Sequence, residues 1–295
     1  MRSNYSKHNL FKSPKSIKRR RFVIRALLLA MLVILIFLIL EILWFSTLLE
    51  VTFFELTSDK IESEFRIALV ADHHGTVFGE NQEELLQELQ QNQPDLILLA
   101  GDIFCHVDKT PELRVESHMM ISGAVEIAPT YFVSGNHEQA NPQYWNIRRE
   151  IIELGAIILN ETPHQLEING NNIILAGQDI DIDYTYELRF IEAGTFKIML
   201  THFPERVAHY EDSHFDVLMA GHAHGGQVRL PLIASNGLFA PGQGLFPRYT
   251  GGINELDDGS SLIVSRGLSR RRSARLRAFN RPELMFIDIV PDGVV

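Results

Sequence analysis

Two kinds of apolar run organise the chain. One is long and occurs once: residues 22–49 are almost wholly apolar, and 26–40 hold fifteen residues without a polar side chain. The others are short, and each stops at a polar cluster. Residues 65–71 (FRIALVA) end at Asp72, and 95–100 (DLILLA) end at Gly101-Asp102. Residues 130–133 end at Ser134-Gly135-Asn136-His137, 196–200 at Thr201-His202, and 215–219 just before Gly221-His222. Short apolar runs bounded by turn residues predict strands buried on both faces. Between them, 81–91, 111–127 and 145–154 carry helical spacing; Asn81 with Glu84 predicts a capping box and Pro94 a stop. Residues 156–159 predict a further strand, and 164–168 and 173–176 flank Asn169-Gly170-Asn171, a hairpin pattern. Strands are also expected at 262–265 and 284–289.

Alternating strands and helices predict an α/β domain, largely parallel in its first half. The later strands lack helices between them, which predicts a second, more mixed sheet. Residues 235–252 are rich in Gly and Pro and predict a long loop, a form that is usually functional when it occurs inside a domain.

The long apolar run has the length of a membrane span. Residues 22–45 contain only Arg25 and Glu41 as charges. At ~1.5 Å per residue such a helix crosses ~30 Å of hydrocarbon. Arg25 and Glu41 lie near its ends, where charged tips reach the interface, and Trp44 and Phe45 fall in the expected aromatic belt. Residues 1–25 carry nine basic residues and no acid, whereas the segment after the span is acidic. The positive-inside rule therefore predicts a single-pass protein of the cell membrane, N-terminus in the cytoplasm and the main domain on the outer face. The expected organisation is a basic tail (1–21), a transmembrane anchor (22–49), a linker (50–64) and a domain (65–295). Arg19-Arg20-Arg21-Phe22 loosely resembles an export signal. No Ala-x-Ala-like cleavage site follows, which favours an uncleaved anchor.

Charge and cysteine content narrow the chemistry. Residues 61–295 hold 17 basic and 33 acidic residues, a net of −16, which makes nucleic acid an unlikely partner. Cys105 is the only cysteine, so internal disulfides and cysteine-rich zinc sites are excluded; it is expected as a small buried side chain. No Gly-x-Ser-x-Gly elbow points to a serine hydrolase. What remains is the recurrence of metal-capable residues at strand ends: Asp72-His73-His74, Asp102, Asn136-His137-Glu138, His202 and His222-Ala223-His224. In open α/β sheets such ends gather in one place. Singly, each is an ordinary turn or cap. His222 and His224 are stronger, because period-two spacing puts both imidazoles on one side of an extended segment.

Taken together, Asp-x-His at 72–74, Gly-Asp at 101–102, Gly-Asn-His-Glu at 135–138, His202 and Gly-His-x-His at 221–224 resemble the calcineurin-like metallophosphoesterases. The stretch His222-Ala-His-Gly-Gly-Gln and the loop Ala240-Pro-Gly-Gln-Gly are similar to a membrane-linked bacterial branch of phosphodiesterases. The resemblance covers about residue 65 to the C-terminus and implies a four-layer α-β-β-α sandwich behind the transmembrane helix. It implies two divalent metal ions, one held by Asp72, His74 and His224, the other by Asn136, His202 and His222, with Asp102 shared. Mixed imidazole and carboxylate ligands suit Mn, Fe or Zn.

The implied reaction is hydrolysis of a phosphodiester or pyrophosphate bond by a metal-bridging hydroxide, in a membrane-anchored enzyme. A lipid-linked substrate resembling UDP-2,3-diacylglucosamine is included. His137 is assigned to protonate the leaving oxygen or stabilise the transition state, with Glu138 orienting it. The competing readings are a non-catalytic, membrane-tethered metal-binding module and an exported nuclease. The sequence departs from many relatives after Gly-Asp, where it reads Ile103-Phe104-Cys105-His106. Among the other histidines, His73 and His106 are the strongest candidates for a role beyond surface or packing. Arg229 and Arg248 are candidates for phosphate contact. Arg270, Arg271, Arg272, Arg275 and Arg277 read equally as a solvated basic loop and as a contact for anionic lipid.

Overall fold

The short apolar runs are continuous because both of their faces are covered. A computed structural model describes residues 14–160, 162–179, 194–210, 214–230, 232–270 and 277–293. In it the runs form two six-stranded sheets packed face to face. The first contains, in spatial order, β1 (Glu50–Ser58), β14 (Glu283–Pro291), β2 (Phe65–Val70), β3 (Leu96–Ala100), β4 (Thr130–Val133) and β5 (Ile157–Ile158). The second contains β12 (Gly252–Glu255), β13 (Ser261–Val264), β9 (Val217–Ala220), β8 (Phe196–Leu200), β7 (Asn171–Gly177) and β6 (His164–Ile168). A small hairpin, β10 (Phe239–Ala240) with β11 (Gly244–Leu245), stands apart.

Alternation within each strand divides the core into layers. Ile67, Leu69, Leu98 and Val133 face Leu175, Ile198, Leu200 and Met219 between the sheets. Their neighbours Ala68, Val70, Leu99 and Phe132 face outward onto Leu85 and Leu89 of α2 (Glu83–Asn92), Met120 of α3 (Val115–Ile127) and Ile147 of α5 (Tyr144–Glu153). The outer face of the second sheet is covered differently. Ile174, Met199, Leu218 and Leu262 pack on Val207, Tyr210, Ala223 and Ala240. Among the described residues this fourth layer consists of the 3-10 turns Pro204–His209 and the Gly/Pro-rich loop, not an α-helix.

Strands β2, β3 and β4 run parallel in one sheet, and β7, β8, β9 and β13 run parallel in the other. Their carboxyl ends therefore share one edge. The hairpin at Asn169-Gly170 forms as the pattern predicts, both residues having positive φ (51° and 84°), which a two-residue turn of this hand requires.

Three local expectations change. The segment 50–64, expected as a linker, contains β1, whose nine residues pair in parallel with β14. Its inner face packs Phe54 and Leu56 on the core while its edge stays half exposed, a pattern too weak to read against its many polar residues. The capping box at Asn81 does not form. Asn81 and Gln82 have positive φ, α2 starts at Glu83, and the Gln82 side chain instead accepts from the Phe78 N–H and donates to Thr76 O and Glu116. The helix α1 spans Pro14–Leu43, beginning inside the basic tail and ending before residue 49. It is long and apolar enough to cross a membrane, and its side chains from 18 to 40 are exposed. Glu41 is not at an open tip: it is buried, accepting hydrogen bonds from Ser46 Oγ (2.6 Å) and the Phe279 N–H (2.8 Å).

Candidate metal centre

The polar residues that end the strands converge. Asp72 and His74 follow β2, Asp102 follows β3, and His202 follows β8. Asn136 opens the short helix α4 (Asn136–Ala140) after β4, and His222 and His224 follow β9. Asp72, His74, Asp102, His222 and His224 all have positive φ, between 47° and 67°. Such backbone is costly for residues with a Cβ and persists where surrounding structure enforces it, typically at functional sites. Here it turns each side chain sharply off its strand into one spot. Gly135 is required beside them, because a Cβ there would overlap Asp102 Oδ1.

Three groups of ligand-capable atoms result, each within the reach of one ion: Asp72, His74 and His224; Asp102, His202 and His222; and His74, Cys105 and His137. Asp72 Oδ1 lies 3.6 Å from His224 Nε2 and 3.9 Å from His74 Nε2. Asp102 Oδ2 lies between the groups, 3.4 Å from His202 Nε2, 3.6 Å from His74 Nε2 and 3.9 Å from His137 Nε2. Asn136 Oδ1 is 3.2 Å from His202 Nε2. The seven side chains assigned to metals are thus brought together at one place.

Outer partners orient the rings. His202 Nδ1 is 2.7 Å from Ala100 O, which can only accept, so this nitrogen carries the proton and a neutral ring offers Nε2 inward. His222 Nε2 is 3.6 Å from Glu205 Oε1 and turns Nδ1 inward, 3.1 Å from His202 Nε2. His224 Nδ1 meets Ser269 Oγ at 3.0 Å and turns Nε2 inward. Ser269 and Glu205 carried no sequence signal, since neither belongs to a recurring motif or an apolar strand end. Asn280 is a further one: its amide donates to His224 O (2.8 Å) and Gln227 O (3.0 Å), filling the space left by Gly225, whose φ is 62°.

The electrostatics suit cations. Asp72 is fully buried, and among the described residues its Oδ1 has no hydrogen-bond partner. A buried carboxylate oxygen left without a donor fits a cation better than any neutral neighbour. Burial pushes Asp72 up to about 7, with His202 opposing and Asp102 adding to the rise. For Asp102, burial acts upward too, but the imidazoles of His202, His74 and His137 outweigh it and hold its carboxyl well below the usual range. Burial disfavours charge on His202, but the Asp102 and Asp72 carboxylates outweigh it and raise the ring to about 9.

These shifts give a signed pH dependence. Unfolding lowers Asp72 from about 7 towards 3.8, so the metal-free chain loses stability as pH rises from about 4 to 7. Unfolding lowers His202 from about 9 towards 6.5, a contribution present below pH 6.5 and lost as pH rises through 9. Metal ligands must be deprotonated, so metal should stabilise increasingly over the same interval. Thermal melts with EDTA and with Mn should therefore diverge from pH 5 to 9. Parallel curves would remove these groups from metal binding.

His137 and Glu138 lie at the same place with different contacts from those expected. His137 Nδ1 accepts the His106 N–H (3.3 Å) and lies 3.0 Å from His106 Nδ1 and 3.6 Å from Cys105 Sγ. The Glu138 carboxylate accepts the N–H groups of Asp102 (2.9 Å), Phe104 (2.8 Å) and Gly135 (2.8 Å). It therefore braces two loops that carry Asp102 and Asn136, instead of orienting His137. Burial raises its pKa to about 7, with Asp102 adding to the rise. Glu138→Gln replaces an acceptor oxygen by an NH2 facing backbone donors; a loss on the order of 2–3 kcal/mol in urea unfolding is expected. An unchanged midpoint would show that the brace carries no stability.

Among the described candidate arginines, only the charge of Arg277 acts on the centre, where it lowers the pKa of Asp72. Arg229 Nε donates to Ser235 O (2.6 Å), and Arg248 lies over the Tyr249 ring. Arg277 is buried, with Nη2 donating to Arg266 O (2.7 Å) and Gly267 O (3.0 Å). Arg270 lies over the Phe78 ring at 4.1 Å. Arg271, Arg272 and Arg275 lie outside the described residues.

A family model described as calcineurin-like phosphoesterase matches residues 65–226. The phosphodiesterase YaeI of Escherichia coli is 29% identical over 238 residues, covering 77% of this chain and 82% of that protein. The uncharacterized metallophosphoesterase YkoQ of Bacillus subtilis is 27% identical over 219 residues, covering 70% and 77%. Among solved structures, phosphopantetheinyl hydrolase from Mycobacterium tuberculosis aligns with a TM-score of 0.42 at 11% identity, covering 69% of this chain and 89% of that one.

Proposed function

Because the chain belongs to the calcineurin-like phosphoesterases, hydrolases of phosphoester bonds, we propose that it cleaves a phosphodiester or pyrophosphate bond at this cluster. The observation that carries this is the convergence of seven buried or half-buried ligand side chains from five strand ends. Asp72, His74 and His224 would hold one divalent ion, and Asn136, His202 and His222 another, with Asp102 shared. Mn, Fe or Zn matches that donor set. Such ions supply an acidified water and neutralise charge on phosphoryl oxygens. Asp102 is held ionised, which suits a carboxylate shared between cations. His137 accepts a backbone N–H at Nδ1, so a neutral ring carries its proton at Nε2, facing the cluster, where it can donate a hydrogen bond to the charge that develops on a leaving or phosphoryl oxygen.

The relative YaeI is a phosphodiesterase by name, which supports a diester substrate. The apolar helix α1 supports anchoring, and the basic residues before it and in its first turns support an outer-face domain. A substrate with acyl chains, of the UDP-2,3-diacylglucosamine kind, is the one that such tethering favours, since the domain then works beside the bilayer. The full chain in detergent should hydrolyse bis-p-nitrophenyl phosphate with Mn, lose turnover in EDTA and regain it on Mn readdition. No turnover with Mn, Fe or Zn would leave a tethered binding module.

A further inference from the structure

Four large apolar side chains project from the loop beside the metal centre without cover. Relative exposure is 104% for Leu232, 80% for Ile233, 73% for Leu245 and 71% for Phe246. Two of them, Leu232 (φ 70°) and Phe246 (φ 53°), occupy backbone that is a genuine outlier for bulky residues. A fold that holds leucine and phenylalanine in strained backbone, with both side chains in water, is explained when those side chains have an apolar destination.

The loop is tied on one side to the metal centre. Leu238 N–H donates to Gly226 O (3.0 Å) and Val228 O (2.9 Å), and Phe246 N–H donates to Leu238 O (3.0 Å). It is tied on the other side to the apolar helix. Val228 pairs with Ala278, and Arg229 N–H donates to Ala278 O (2.9 Å). The next residue, Phe279, donates its N–H to the buried Glu41 and sets its ring 6.2 Å from Phe37 of α1. From Phe37 to Leu43, the last residue of α1, is six residues, about 9 Å along the axis at ~1.5 Å each. The segment beside the loop therefore reaches below the helix end, to the depth at which a spanning helix leaves the hydrocarbon. Exposed Arg248 follows the apolar tips, as expected of a surface that meets headgroups.

We propose that Leu232, Ile233, Leu245 and Phe246 form a second membrane contact, inserting into the interfacial layer of the bilayer that α1 crosses. The insertion fixes the tilt of the domain and holds the metal centre facing the lipid surface. This rests on the reading of α1 as a membrane span. The occupant is the bilayer rather than another protein because the loop that carries these side chains is joined, through Ala278 and Phe279, to the helix that would lie in it.

The test uses the full chain in phosphatidylcholine and phosphatidylglycerol vesicles. Leu245→Cys and, separately, Ile233→Cys are labelled with an NBD fluorophore; Cys105 is buried and is spared. Asn172→Cys is the control, exposed at the start of β7 and so at the sheet end away from the centre. Labels at 233 and 245 should resist dithionite about tenfold longer than the label at 172 and be quenched by nitroxide lipids, as expected for side chains 5–10 Å into the interface. Carbonate-resistant protein whose labels at 233 and 245 bleach as fast as at 172 overturns the proposal alone. Protein washed off by carbonate overturns the spanning helix first. Labels shielded from dithionite but blind to nitroxide lipids would assign the patch to a protein contact and overturn the proposal as well.

Discussion

Asp102→Asn is expected to cut kcat/KM for bis-p-nitrophenyl phosphate by about 10³-fold or more, the scale at which a central electrostatic element of a site is lost. It should also reduce bound metal from two per chain to one or none. The geometry explains why this residue outranks its neighbours. Its Oδ1 accepts the His137 N–H at 2.7 Å, which Asn preserves. Its Oδ2 faces His202, His74 and His137 at 3.4–3.9 Å, and there Asn would present a neutral NH2 to nitrogens that are turned inward to bind. The fold should survive, since Glu138 still holds the Asp102 N–H and β3 is untouched. Metal analysis of the variant decides the matter. Retention of two ions would show that Asp102 does not lie between them.

His137→Asn is expected to lower kcat for an alkyl diester by about 10²–10³-fold while metal content stays at two per chain, the range for loss of one positioned hydrogen-bond donor to developing charge. The leaving group separates roles. Loss should be small for p-nitrophenolate, which departs without protonation, and large for an alkyl diester. His137 also forms a third ligand-capable group with His74 and Cys105, and its ring lies 4.4 Å from that of His74. Metal lost in the variant would therefore make His137 a ligand, not a hydrogen-bond donor to the leaving oxygen. His106 is the neighbour to compare: its backbone N–H and ring both meet His137 Nδ1.

Much of the centre was legible because it sits where two patterns intersect. A strand buried on both faces must be a continuous apolar run, and the first polar residue after it marks its carboxyl end. Asp72, Asp102, Asn136, His202 and His222 all lie within three residues of such a boundary, and it is the family resemblance that implied which of them hold metal. The residues that orient them were not legible. Ser269, Glu205 and Asn280 come from loops whose sequences carry no period, and each matters through a partner 17 to 56 positions away.

The same distinction holds for the charges. Sequence placed Glu138 next to His137 and suggested that the two interact. In the fold its carboxylate is filled by the N–H groups of residues 102, 104 and 135, because a buried acceptor takes the donors that the loops bring to it. Glu41 and Arg277 read as an interfacial tip and part of a basic patch; both are buried, held by Ser46 and Phe279 in one case and by carbonyls of 266 and 267 in the other.

By itself the sequence determined the presence of one long apolar helix, the order of the buried strands and the identity of the residues at their ends, because each depends only on hydrophobic period and local turn chemistry. Tertiary structure alone decided that β1 joins the first sheet, which nitrogen each histidine turns inward, and that bare apolar tips stand between the centre and the helix. Those depend on which distant backbone donors and side chains meet once the two sheets close, and no local pattern encodes that meeting.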